Sequence, residues 1–221
     1  IAKLLLNELN IDIRSGICEI DGIKADNFTF ENARNSEIFA LDSNVEDAQK
    51  NAILKAKNSH NSVGGVALIN VKNCPVGLGE PIYHKLDAQI ANAMMSINAV
   101  KAVEIGDGIL ASRVLGFDNN DQIRKSGFKT NHSGGILGGI SNGDDINVKV
   151  YFKATPSIFI EQDTVDIYGN EVECKLKGRH DPCVAIRGSV VAESMIALVI
   201  ADMLLLNMSS KVENIKKVYA K

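Results

Sequence analysis

The apolar positions change their period several times along the chain. Ile1, Leu4, Leu5 and Leu9 recur at helical spacing and predict a short opening helix with one apolar face. In IDIRSGICEI the isoleucines at 11, 13, 17 and 20 predict a strand interrupted at Gly16. Residues 24–43 are polar and irregular. SNVEDAQKNAILKAKNSH predicts a helix, with Ser43 or Asn44 as N-cap and acids in its first turn. SVGGVALINVKNCP predicts a strand ended by Pro75. YHKLDAQIANAMMSI predicts a helix with Leu86, Ile90 and Met94 on one face, and AVKAVEIG a strand after it. Residues 106–143 form a Gly-rich polar stretch, long for a loop, and ordered loops of that length are often functional. INVKVYFKAT alternates through Ile146, Val148 and Val150 and predicts a strand. Short strands are expected around Ile158 to Ile160 and near Val165 to Tyr168. The longest helix is expected over VVAESMIALVIADMLLLNM.

Strands and helices mix here without regular βα alternation, so the expected class is α+β rather than doubly wound α/β. The last helix contains Glu193 and Asp202, and two carboxylates are costly in lipid. A core or oligomer-interface helix is therefore expected there, and no membrane partner. The chain opens at Ile1, without Met and inside a helical pattern, so it is expected to be part of a longer protein.

Composition changes this picture little. Over 221 residues, 45% are apolar and 23% charged, as in an ordinary globular protein. Net charge is −3 and no long basic block occurs, which disfavours nucleic acid as a partner. Any anionic ligand must be held by a local cluster of positive groups. Cys18, Cys74, Cys174 and Cys183 show no metal-like spacing and are expected to be reduced thiols, as in a cytoplasmic protein.

Four stretches carry candidate chemistry. Gly106-Asp107-Gly108-Ile109-Leu110-Ala111 follows a strand and matches the dinucleotide fingerprint G-x-G-x-x-A. No βαβ unit or acidic ribose-binding residue follows it, so a tight turn is the expectation. TNHSGGILGGISNG, from Thr130 to Gly143, holds paired glycines that let a backbone approach a ligand, with Asn131 and His132 beside them. A plain Gly-rich turn explains it equally well. In FKATPSI, Lys153, Thr155 and Ser157 alternate; if the strand persists they share one side and form a phosphate cradle. GRHDPCVAIRG places Arg179, His180, Asp181 and Arg187 before the longest helix. An ion-paired loop and a site, with Asp181 in proton transfer, are both open readings.

Taken together and in order, GLGEPIYHKLDAQIANAMMSINAVKAVEIGDG, TNHSGGILGGISNGDDI, FKATPSI and GRHDPCVAIRG…AES resemble the middle and C-terminal part of chorismate synthases. The resemblance implies a β-α-β sandwich fold, with residues 1–221 as one domain, and a homotetramer. It implies a carbon–oxygen lyase of the shikimate pathway that converts 5-enolpyruvylshikimate-3-phosphate to chorismate and phosphate. Reduced FMN is the implied cofactor, with NADPH as reductant in some members. The flavin contacts it implies are Asn98, Ala99, Gly138, Lys153, Ala154, Thr155, Pro156, Ser157 and Arg179. Arg179 also meets the substrate, Asp181 transfers a proton, and His180 is a second catalytic candidate. The family's N-terminal part, with two catalytic histidines, has no counterpart here, so this stretch alone is expected to be inactive. The competing expectations are a ligand-binding module with part of the flavin site, and an NAD(P) oxidoreductase built on GDGILA.

Overall fold

The computed structural model describes residues 1–178 and 180–220. In chain order the elements are α1 (Ala2–Asn7), β1 (Asp12–Ile20), β2 (Ile23–Lys24), α2 (Phe30–Asn35), α3 (Ser43–Asn58), β3 (Gly65–Lys72), α4 (Leu86–Met95) and β4 (Val100–Ile105). A 3-10 turn at Gly108–Arg113 and α5 (Gly116–Asn119) follow, then β5 (Ile123–Arg124), β6 (Gly127–Phe128), β7 (Ile136–Leu137) and β8 (Ile140–Ser141). The chain continues through β9 (Ile146–Phe152), β10 (Gln162–Val165), β11 (Glu171–Cys174), α6 (Ala185–Met208) and α7 (Val212–Tyr219).

Five strands form one sheet in the order β2-β1-β3-β9-β4, every neighbouring pair antiparallel. This is the expected α+β class. β9 alternates buried and half-buried residues along its length, as a strand with one strongly covered face should. β3 is buried from Gly65 to Val71, because both of its faces are covered. On one face Ile13, Ile17, Ala67, Ile69, Val148 and Val150 pack with Ile90 and Met94 of α4 and Ala192, Ile196 and Ile200 of α6. On the other, a smaller cluster joins Cys18, Val66 and Leu68 to Ala33 of α2 and Leu41.

Several expectations hold, and several need correction. Leu86, Ile90 and Met94 form the buried stripe of α4. In α1 the expected apolar face is wrong: Ile1, Leu4, Leu5 and Leu9 are exposed. Ala2 and Leu6, one helical turn apart, face the core instead. Gly16 does not interrupt β1. A Cβ there would lie 2.6 Å from Leu41 Cδ2, so the glycine serves a close approach, and the irregularity falls between Ile17 and Glu19. The N-cap of α3 is Asp42, whose Oδ1 accepts the Asn44 N–H at 3.0 Å. Its Oδ2 also accepts the N–H groups of Asp26 and Asn27, at 3.1 and 3.0 Å. No strand forms at Ile158 to Ile160. The strand expected near Val165 to Tyr168 lies earlier, as β10, and Asp166 turns the chain by accepting the N–H groups of Tyr168 and Asn170.

The longest helix, α6, begins at Ala185, before the apolar run, so Arg187 belongs to its first turn. At 24 residues, with an 18-residue stretch of mean hydropathy 2.1, α6 is long and apolar enough to cross a membrane. Here its inner face is core, in contact with β1, β3, β9, α1 and α4.

Near its start, α6 passes close to β9. A Cβ on Gly188 would lie 2.4 Å from Cε1 and 2.5 Å from Cζ of Phe152. Ala favours a helix interior over Gly by about 1 kcal/mol. Overpacking of this kind costs about 1–3 kcal/mol. Gly188→Ala is therefore expected to lower stability by up to about 2 kcal/mol, read as a lower urea midpoint at unchanged slope. A midpoint at or above that of the parent would refute the tight approach.

Candidate functional site

Three segments meet at one end of the sheet: the loop from α3 into β3, the chain leaving β9, and the start of α6. They meet because glycines hold no side chain between them. A Cβ on Gly64 would lie 2.7 Å from the Phe152 carbonyl oxygen, and one on Gly65 would lie 2.9 Å from the Ala185 Cβ. Hydrogen bonds close the junction. Val63 N–H donates to the Pro182 carbonyl at 2.9 Å, and the Ser62 hydroxyl donates to the Thr155 carbonyl at 2.6 Å. Phe159 N–H donates to the His60 carbonyl at 3.1 Å, and Lys153 N–H to the Ala99 carbonyl at 2.9 Å. His60 and Ala99 hold left-handed backbones, at φ 59° and 71°, to present those carbonyls.

The polar side chains at this junction are incompletely satisfied. His180 Nε2 and Thr155 Oγ1 are buried and have no hydrogen-bond partner among the described residues. Buried polar groups are normally paired, so two orphans in one junction point to a missing partner. The His180 ring is set by packing: Phe159 meets it edge-on at 4.9 Å, and His60 meets Phe159 edge-on at 5.9 Å. Asp181 Oδ2 pairs with Arg187 Nε at 3.3 Å, and its Oδ1 accepts the Cys183 N–H at 3.3 Å. Two hollows open here. One, of about 80 Å³, lies among His60, Ser62, Ser157, Phe159, His180 and Asp181. The other, of about 460 Å³, is lined by Lys57, His180, Asp181, Pro182 and Arg187. A hollow of about 750 Å³ against β10 and β11 is lined by Asp163, Thr164, Val165, Glu171, Val172 and Glu173. That lining contains no cation and repels an anion.

The structure gathers most of the site residues expected from the sequence. Lys153, Ala154, Thr155, Pro156 and Ser157, and His180 and Asp181 lie on the converging segments, and Ala99, next to Asn98, joins them by accepting the Lys153 N–H. Arg179 lies outside the described residues. The strand does not persist past Phe152, so Lys153, Thr155 and Ser157 are not an alternating face. They belong to an irregular segment in which Lys153 is exposed and Thr155 turns its hydroxyl inward. Gly138 stands apart. It turns β7 into β8 beside the start of α4, where the neighbouring Gly139 carbonyl accepts the Leu86 N–H at 2.7 Å. Asn98 and Ala99 follow the other end of that helix, which is about 15 Å long.

The Gly-rich loop spends its polar groups on itself. Asn131 Oδ1 accepts the Gly135 N–H and its Nδ2 donates to the Asp145 carbonyl. His132 Nδ1 pairs with Asp107 Oδ2 at 2.6 Å. Asp121 accepts the N–H groups of His132 and Ser133 and the Thr130 hydroxyl. Burial opposes ionisation of Asp121, but those bonds outweigh it and hold its carboxyl below the usual range. The GDG turn is a tight turn, with Gly106 and Gly108 at φ 60° and 54°. β4, which leads into it, has only β9 as a neighbour, and that pairing is antiparallel, so no dinucleotide βαβ unit exists there. Two contributors escaped sequence reasoning: Lys57, and His60, which reads from sequence as a surface residue. Their only signal is proximity to SVGG, whose glycines let the loop approach β9 and α6.

The chorismate synthase family model matches residues 1–205. The chain belongs to the chorismate synthase family. It is 82% identical to a chorismate synthase of Aliarcobacter butzleri over all 221 residues, covering 62% of that protein. It is 63% identical to one from Sulfurimonas denitrificans, again over the whole chain and 62% of the relative. A crystal structure of a chorismate synthase superposes with a TM-score of 0.78 at 30% identity, covering 98% of this chain and 63% of that one. The chain thus spans about 62% of the length of the curated relatives it matches. The similarity to the crystal structure agrees with the sandwich architecture expected from the sequence.

Burial at the junction also governs its thiol. Cys183 is fully buried, and that desolvation pushes its pKa up to about 11. Cys18 and Cys74 are buried as well, whereas Cys174 is half-exposed. Iodoacetamide at pH 8 is expected to label Cys174 promptly and the other three only after urea unfolding. Peptide mass mapping reads the outcome, and prompt labelling of Cys183 would contradict the packed junction.

Proposed function

We propose that the protein to which this chain belongs is a lyase that forms chorismate. It eliminates phosphate from 5-enolpyruvylshikimate-3-phosphate, the step that leads toward the aromatic amino acids. In this reading reduced FMN is the cofactor, with NADPH as a possible reductant. Held by the residues named below, reduced FMN would supply electron density for phosphate departure. The assembly is a homotetramer in the cytoplasm. Exposed Leu198, Leu205 and Leu206 of α6, with Leu4 and Leu5 of α1, suit further protein packing there.

The observation that carries the reading is the pair of orphaned polar atoms, Thr155 Oγ1 and His180 Nε2, at a junction containing Lys153 and Asp181. Those groups fit a phosphate-bearing, flat, anionic ligand. Lys153 is a point charge for a phosphate, with the Thr155 and Ser157 hydroxyls as hydrogen-bond partners. Asn98, Ala99, Ala154 and Pro156 belong to the same flavin wall, Gly138 to a flavin contact outside this junction, and Arg179 to both flavin and substrate. Asp181 accepts or relays the proton lost from the substrate, its carboxylate oriented by Arg187 and the Cys183 N–H. His180 is the adjacent donor or acceptor, with Phe159 fixing its ring.

The test is a flavin titration. The chain is expected to quench FMN fluorescence saturably, and Lys153→Gln to weaken that binding about tenfold or more, the loss of one charge-assisted contact. In the full-length protein, Asp181→Asn is expected to bind FMN normally while lowering turnover at least about a hundredfold. Unchanged FMN affinity in Lys153→Gln would defeat the phosphate-cradle assignment. Unchanged turnover in Asp181→Asn would defeat the proton-transfer role.

A further inference from the structure

We propose that Lys57 is an anion-binding residue of this site, contacting a phosphate or carboxylate group of the small molecule that fills the hollow between α3 and α6. The proposal rests on the reading of the junction as a ligand site. It adds a wall that the sequence did not indicate.

Lys57 stands in the last turn of α3. The chain just after its helix is tied to Pro182 by the Val63 N–H, and to Phe159, which packs on His180, by the His60 carbonyl. It lines both hollows at the junction, in each case with His180, Asp181 and Pro182. The charge balance of the larger hollow depends on it. Arg187 and Asp181 pair at 3.3 Å and cancel. Lys57 forms no ion pair among the described residues, so among them it leaves the lining with one net positive charge. Beside it His180 Nε2 is buried and has no partner among the described residues. A cation and an orphaned imidazole nitrogen on one wall are the complement of an oxyanion. The volume of about 460 Å³ suits a small-molecule site.

A lysine in the last turn of a helix also has an ordinary role, the favourable interaction with the helix dipole. Lys55 shares that turn and that role, yet lines neither hollow. It separates the two explanations. The probes are inorganic phosphate and malonate, titrated into the chain while the side-chain NMR signals of His180 and the lysines are followed. Wild type and Lys55→Gln are expected to show saturable shifts at His180 with equal affinity. Lys57→Gln is expected to bind at least about tenfold more weakly, and Lys57→Arg to stay within about threefold of wild type. Circular dichroism of each variant checks the fold. Equal affinities for Lys57→Gln and Lys55→Gln, or no saturable shift with either probe, would overturn the proposal. FMN is titrated in parallel. Loss of FMN binding with intact phosphate binding sinks the flavin reading and leaves Lys57 in place; the reverse sinks Lys57 and leaves the flavin. Displacement of phosphate by FMN assigns the contact to the flavin, and displacement by 5-enolpyruvylshikimate-3-phosphate assigns it to the substrate.

Discussion

The close approach of three backbones at Gly64, Gly65 and Gly188 is the constraint on which the rest of the site depends. Each glycine faces an atom that a Cβ would strike: the Phe152 carbonyl oxygen, the Ala185 Cβ and the Phe152 ring. Side chains at these points would push the entry to β3, the exit from β9 and the start of α6 apart. Packed interiors do not absorb such shifts smoothly. With the glycines in place, Val63 reaches Pro182 and Ser62 reaches Thr155, and both bonds join segments far apart in sequence. The side chains that could do chemistry are then neighbours by construction.

The sheet supplies the rigidity behind this junction. β3 lies between β1 and β9 and is buried on both faces, so its first residues have little freedom. The register sets Gly65 opposite Phe152. The end of β9 and the beginning of β3 therefore leave the sheet together. Phe152 is half of that pair and also the surface against which Gly188 packs, so one side chain links the sheet register to the position of α6. The loss of regular hydrogen bonding after Phe152 is equally useful. A continuing strand would point Thr155 along the sheet face, whereas the irregular segment turns its hydroxyl into the junction.

Periodicity revealed most of this fold, and the exceptions have physical causes. The stripe Leu86, Ile90, Met94 and the alternation of β9 are legible because single-face burial imposes a period. Gly16 misleads because a glycine that admits Leu41 looks, in sequence, like one that breaks a strand. The opening helix misleads because its more apolar face, with Leu4 and Leu5, is exposed here while Ala2 and Leu6 face the core. At the site, FKATPSI and GRHDPC stand out by their concentration of functional groups. Lys57 and His60 do not, because they look like the solvated end of a helix. Only the bonds from Val63 and Phe159 show what that helix end faces. Contacts between segments some hundred residues apart carry no local signal.

Electrostatics narrows what such a site can do. With a net charge of −3, the chain exerts no general attraction on an anion. Affinity for the anionic ligand proposed above has to arise at short range, from a few locally placed cations. The Arg187–Asp181 pair does not provide it, since its charges cancel; it orients the carboxylate instead. The uncancelled charge comes from Lys153 on the β9 side and Lys57 on the α3 side. The two stand on segments that the Ser62–Thr155 bond ties together. Asp181 lies on the α6 segment beside the larger hollow. The lysines would offset the repulsion that a bound oxyanion feels from that carboxylate. Among the described residues all three converging segments thus carry a cation, with Arg187 on the α6 segment spent on Asp181 and the two lysines left to face an anion.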